Sequence, residues 1–167
     1  MTKSDYDKTP KYYAVPDPNT GDMTYWFRNR RGAIVSWPQR PPARYGPRRY
    51  HRDGAHVGPY DSFTPLFGSK AEKWDAYAHW KATVREPWEA AIMAAIEGDP
   101  ELAQSRFAGW RSRCCVCSLP LDDEDSKIWG IGPVCRKGMP GFVLEDLARQ
   151  MGRIHAEVEK KNAETTE

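Results

Sequence analysis

Cys114-Cys115-Val116-Cys117, followed by Gly130-Ile131-Gly132-Pro133-Val134-Cys135, is the stretch on which the reading of this 167-residue chain turns. Cys114 and Cys117 have the C-x-x-C spacing of a zinc knuckle. A tight turn at that spacing points two thiolates at one metal about 2.3 Å away, while nearby amides stabilise the sulfur charge. The glycines ahead of Cys135 permit a sharp turn, and Pro133 suits the first turn of a helix. Cys135 is thereby expected near a helix N-terminus, where the helix dipole favours a thiolate. A knuckle plus a ligand on the following helix assembles a treble-clef-like module, and the expected cofactor is zinc. A tetrahedral structural site needs a fourth ligand. The candidates are His155, Asp123, Cys115, or a histidine of the upstream loop, His51 or His56. His155 and Asp123 rank ahead of Cys115, because adjacent Cys114 and Cys115 strain the chain if both bind one ion. Two other readings stay open: reduced cysteines buried without metal, and an iron–sulfur cluster.

Upstream of the cysteines the chain changes character twice. Residues 1–10 are polar and read as a disordered tail. From Lys11 the pattern is β. Tyr12-Tyr13-Ala14-Val15 is closed by the turn cluster Pro16 to Asp22, Met23 to Arg28 is rich in aromatic strand formers, and Asn29-Arg30-Arg31-Gly32 reads as a hairpin connection into Ala33–Trp37. A three-stranded antiparallel meander is the expected outcome, marginal unless something packs on it. Residues 38–68 are dense in Pro and Gly and show no lasting period, so 11–68 is taken as meander plus an Arg/Pro/Gly-rich loop.

Helix begins at Ser69. Ser69-Lys70-Ala71-Glu72 is a capping-box pattern. Trp74, Tyr77, Val84 and Trp88 recur behind it as one apolar stripe, Pro87 should kink or restart the helix, and Gly98 should stop it. Asp99-Pro100 caps a further helix to about Ala108. Residues 69–110 thus form a helical segment. Residues 111–161 form the cysteine module with a final helix, Phe142 to about Lys161, carrying Val143, Leu147, Met151, Ile154 and Val158 on one face; 162–167 are a polar tail. The expected fold class is α+β: a small N-terminal antiparallel meander packed on α-helices, a treble-clef-like zinc module, and a last helix.

Net charge is only +2, but it is unevenly spread. Between Asp22 and Asp53 there is no acidic residue, while Arg28, Arg30, Arg31, Arg40, Arg44, Arg48, Arg49 and Arg52 all fall there. That segment carries +8 and the rest of the chain −6. Tyr25, Trp26, Phe27, Trp37, Tyr45 and Tyr50 are interleaved. Guanidinium forks match phosphate oxygens and exposed rings stack on bases, so these eight arginines are the candidate DNA- or RNA-binding residues. The bland counterpart is a solvated basic loop paired with the acidic helices.

Composition excludes other classes. Mean hydropathy is −0.78 and no run approaches the roughly 18 apolar residues of a membrane span. The first residues lack the apolar core of a signal peptide, so a cytoplasmic location is expected, with the cysteines as thiols or metal ligands rather than disulfides. Seven Trp in so short a chain point to a core of large aromatic pieces. No phosphate-binding Gly-rich loop, nucleophile elbow or paired-histidine metalloprotease helix is present, and no His lies between Cys117 and Cys135 to serve a treble-clef nuclease. No catalytic residues are assigned and a non-enzymatic role is expected.

Cys114-x-x-Cys117, Leu121, Asp123, Ser126 and Gly130-Ile131-Gly132-Pro133-x-Cys135 together resemble the pattern C-x-x-C-G-R-x-L-x-D-P-x-S-x-x-x-G-x-G-P-x-C. That pattern marks a family of functionally uncharacterised zinc-finger-like domains of actinobacteria and their phages. Ser118, Leu119 and Glu124 stand where the pattern has Gly, Arg and Pro. The resemblance implies metal binding and a phage setting, hence a host cytoplasm; it implies no reaction. The expected function is a zinc-containing nucleic-acid-binding accessory protein. The alternative is a protein-interaction or host-modulating phage factor that docks a host or phage protein through the zinc module and last helix.

Overall fold

A run of alternating apolar side chains can satisfy two cores at once if both faces of its sheet are covered, and that is how the N-terminal strands are used. The computed structural model describes residues 9–38 and 69–166. Arg40, Arg44, Arg48, Arg49, Arg52, His51 and His56 lie outside the described residues. Strands β1 (Tyr12–Pro16), β2 (Met23–Arg28) and β3 (Ile34–Ser36) form an antiparallel sheet in the order β1-β2-β3. Ala14 pairs with Tyr25 and Phe27 with Val35. The Asp17 carboxylate accepts the amides of Asn19 (2.7 Å) and Thr20 (3.2 Å), which shapes the first turn. Asn29 does the same in the second, its Oδ1 accepting from the amides of Arg31 and Ala33.

Tyr13, Val15 and Trp26 face one core, with Trp88, Ile92, Ile96 and Ala103. The Trp26 Nε1 donates to Thr24 Oγ1 at 2.8 Å, and that hydroxyl donates to the Val15 carbonyl at 2.7 Å, so the polar atoms on this face are satisfied internally. Ala14, with the half-buried Tyr12 and Tyr25, faces the other core, made of Phe107, Ala108, Val116, Leu121, Ile131, Met151 and the cysteines. The cysteine segment is therefore part of the main core on one side of the sheet.

Helix α1 (Lys70–Trp80) starts at the expected capping box: the Glu72 amide donates to Ser69 Oγ and the Ser69 amide to Glu72 Oε2. It runs through a wider π-helical turn, Lys81–Arg85, into α2 (Glu86–Gly98), which carries Pro87 in its first turn. The extra residue in that turn changes the phase of the helix. Trp74 and Val84, expected on a single buried stripe, are exposed, while Trp80 and Trp88 are buried. Helix α3 (Pro100–Arg111) is capped by the Asp99 carboxylate, which accepts the Leu102 amide at 3.1 Å. It runs on beyond Ala108 and lies between β1 and the last helix.

Two short helices follow, α4 (Glu124–Trp129) and α5 (Pro133–Arg136), before α6 (Gly141–Thr165), longer at both ends than the apolar pattern indicated. Met151 and Ile154 of α6 are buried against α3, whose Gly109 has room for no side chain beside Ile154. Among the described residues no helix is long and apolar enough to cross a membrane. The architecture is α+β, with the small antiparallel sheet first, a cysteine cluster between residues 114 and 135, and a helix last.

Candidate metal centre

The knuckle is built by backbone geometry. Ser112 ends α3 in a left-handed conformation (φ 52°) and turns the chain out of the helix. Arg113 and Pro120 then form an isolated antiparallel bridge that closes the loop. Within it the Cys114 amide donates to the Leu119 carbonyl at 2.9 Å and the Ser118 amide to the Cys114 carbonyl at 2.8 Å. Ser118 is also left-handed (φ 61°). This bend brings the Leu119 amide onto the Cys117 sulfur, a hydrogen bond that favours thiolate.

Cys135 arrives from a second direction. Gly130 (φ 70°) ends α4 with its backbone against Ala108 and Met151, and its carbonyl accepts the Cys115 amide at 3.4 Å. Pro133 then opens α5, with Cys135 as its third residue. The result is that the Sγ atoms of Cys114, Cys117 and Cys135 all lie within 4.8 Å of one another. Three sulfurs on a tetrahedral ion at about 2.3 Å stand about 3.8 Å apart, so the donor set suits zinc or another thiophilic ion. Cys114 and Cys135 are buried and Cys117 is half-exposed.

Burial, reinforced by the neighbouring Cys114, pushes the Cys135 thiol up to about 12. Burial also raises Cys117, against the opposing Leu119 amide, and Cys117 shares hydrogen bonds with both other thiols. Both shifts favour the neutral thiol at Cys117 and Cys135 when no cation is bound. A bound divalent ion inverts this logic and stabilises all three as thiolates.

The other candidate ligands lie outside this close group. Cys115 is buried beside it, its thiol raised by burial and then by Cys114. Asp123 caps α4: its carboxylate accepts the Ser126 amide at 2.7 Å, and the bonds to Ser126 hold it below the usual carboxylate range. The His155 Nε2 stands 3.1 Å from the Lys127 carbonyl. Arg136, next to Cys135, stacks on Trp129 at 4.6 Å and donates to Ser126 Oγ and the Ile131 carbonyl, bracing α4 against α5.

Of the arginine window, Arg28, Arg30 and Arg31 are described. Arg28 is tied into the hairpin, donating to the Gly32 carbonyl at 2.8 Å and to the Tyr13 hydroxyl at 3.4 Å. Arg30 and Arg31 are exposed at the hairpin tip. A contact that no residue spacing indicated joins the window to the cysteine segment: Arg111 stacks on both Tyr25 and Trp37. Its only signal in sequence was the Arg-Ser-Arg triplet just ahead of Cys114.

A family model described as a family of unknown function (DUF6011) matches residues 104–140. That span runs from the middle of α3 to the residue before α6 and contains all three clustered cysteines, but it is less than half of the chain. No curated protein and no solved structure matches this sequence.

Proposed function

We propose that this protein is a non-enzymatic binding protein organised around a structural zinc ion, and that its partner is nucleic acid. The zinc reading is carried by the convergence of three cysteine sulfurs within 4.8 Å from two separate turns. A set of thiols on opposite sides of a seventeen-residue excursion is worth assembling in a core if an ion closes it, because binding free energy then becomes folding free energy. His155, Asp123 and Cys115 remain the candidates for the fourth ligand. Zinc content of the His155→Ala, Asp123→Ala and Cys115→Ala proteins separates them. Elemental analysis of protein purified without added metal tests the whole reading: about one zinc per chain is expected, and iron or no metal would sink it.

The nucleic-acid reading rests on the charge contrast, +8 between Asp22 and Asp53 against −6 elsewhere, with Arg30 and Arg31 exposed on a hairpin tip. If several phosphates are neutralised, affinity for a mixed-sequence strand falls steeply with salt. Failure to bind any strand at low salt excludes it. The competing reading is a docking protein of phage origin, favoured by the exposure of Phe142 (70%) at the start of α6 and of Val134 (76%) beside Cys135. Phe142 borders an open groove of about 780 Å³ that also includes Leu147 and Met139. A protein partner held there would be lost with Phe142→Asp and would be insensitive to salt.

A further inference from the structure

Arg111 is the last residue of α3 and Arg113 the first of the knuckle, and the left-handed Ser112 between them turns both side chains toward one ring. The Arg111 guanidinium carbon lies 5.1 Å from the Tyr25 ring centre and 5.2 Å from that of Trp37; the Arg113 carbon lies 5.7 Å from Trp37. Ring quadrupoles hold cations but bring no counter-charge. Among the described residues, neither arginine meets a carboxylate. Arg113 donates to the Ser118 carbonyl at 2.8 Å. Among the described residues Arg111 has no hydrogen-bond partner, and its Nε is buried. Arg28 and Arg136, which also stack on rings, differ: Arg28 donates to the Gly32 carbonyl, and Arg136 donates to Ser126 and Ile131.

Two like charges against one indole, one of them with an unspent guanidinium, make an arrangement that a bound anion stabilises. We propose that Arg111 and Arg113, held on Trp37 and Tyr25, form a phosphate-binding pair that takes a phosphodiester of a nucleic-acid strand. The proposal rests on the nucleic-acid reading above and gives it a contact point outside the arginine window. Planar guanidinium forks fit phosphate oxygens two at a time. The aromatic rings that position them, Tyr25 and Trp37, belong to the segment between Asp22 and Asp53 that has no acidic residue. The indole face of Trp37 is engaged by guanidinium, so the contact reads the backbone rather than stacking a base.

The test is a salt titration of binding to a mixed-sequence single-stranded oligonucleotide, with the arginine Nε–Hε signals followed by NMR in the same titration and in one with inorganic phosphate. Arg113→Gln removes the half-exposed partner, and Arg111→Lys keeps charge while losing the fork; thermal melts establish that each is folded. Each substitution is expected to weaken binding about tenfold, and Arg113→Gln to lower the salt slope by roughly 0.7–1. Both ligands should shift the Arg111 and Arg113 signals. If the oligonucleotide binds but folded Arg113→Gln and Arg111→Lys keep wild-type affinity and slope, the pair is refuted while the nucleic-acid reading stands. If phosphate shifts the two signals and no oligonucleotide binds, the strand as ligand is refuted together with that reading. If neither ligand moves them, the anion site itself is refuted.

Discussion

The backbone carbonyl of Cys115 accepts hydrogen bonds from the amides of both Lys11 and Tyr12, each at 3.0 Å. The residue between the two knuckle cysteines is thus stitched to the free edge of β1, and the same strand places Ala14 in the core that contains Cys114, Cys115 and Cys135. The knuckle and the sheet share one core and one hydrogen-bonded seam, so their stabilities are expected to be coupled.

From that seam follows the first prediction. Stripping the metal, or substituting Cys117→Ser, should destabilise the sheet as well as the cysteine segment. The amides of Lys11 and Tyr12 should lose their protection from hydrogen exchange along with Cys114 and Cys115. Structural zinc supplies folding free energy directly, so the loss in stability should be about 5 kcal/mol or more. Hydrogen exchange with and without chelator checks this. Protection persisting through β1 after metal removal would mean that the sheet folds independently.

Two glycines of the Gly-Ile-Gly-Pro run should behave in opposite ways. Gly130 holds φ 70°, and a Cβ there would stand 2.8 Å from both Ala108 Cβ and Met151 Sδ. Gly130→Ala combines backbone strain with overpacking between α3 and α6, and should cost about 2–4 kcal/mol. Gly132 has an extended backbone and no atom within 4 Å of an added Cβ. Gly132→Ala should stay within about 1 kcal/mol of the parent. Denaturant midpoints of the two variants decide the matter, and equal losses would contradict it.

How far the sequence reached can be argued element by element. Strand β2 was legible to the residue, because Met23–Arg28 is a dense run of strand formers between two turn clusters. The starts of α1 and α3 were legible too, since Ser69 with Glu72 and Asp99 with Pro100 satisfy orphan amides with specific side chains. The convergence of Cys114, Cys117 and Cys135 followed from spacing and turn residues alone. Helix α4 carries no apolar period to announce it, and Asp122 to Asp125 is a run of acidic residues, although the Asp123 carboxylate caps the amide of Ser126. The apolar stripe expected over Trp74, Tyr77, Val84 and Trp88 divides into exposed and buried members, because a π-helical turn leaves no periodic trace before it shifts the phase. Arg111 on Tyr25 and Trp37 joins residues far apart in sequence, and no local pattern encodes such a contact.

Ser118 occupies a left-handed position (φ 61°) at which the resembled family pattern has glycine. A side chain there costs roughly 1–2 kcal/mol of backbone strain, part of which glycine gives back as extra freedom in the unfolded chain. Ser118→Gly should therefore raise stability by about 0.5 kcal/mol without changing metal stoichiometry. Ser118→Val, β-branched at the same φ, should lower it by about 1–2 kcal/mol and loosen metal binding by moving the Leu119 amide off the Cys117 sulfur. Chemical denaturation and a competitive chelator titration read both effects.

The thiols predict a reversal in pH dependence between the metal-bound and metal-free protein. In the metal-free chain, burial raises Cys117 and pushes Cys135 up to about 12. A raised folded value means that the fold favours the neutral thiol. The corresponding stability is complete below the unfolded thiol value of about 8.5 and is lost as pH rises toward 12. With the ion bound the cysteines are thiolates, protons compete with the metal, and stability is lost as pH falls. Denaturant midpoints measured from about pH 6 to 10 should then decline above about 8.5 without metal and toward acid pH with it. Binding near pH 7 should release about three protons per zinc, measurable by calorimetry in buffers of different ionisation enthalpy. Release of no protons would show that the cysteines are not the ligands, because neutral thiols at this pH cannot bind zinc without giving theirs up.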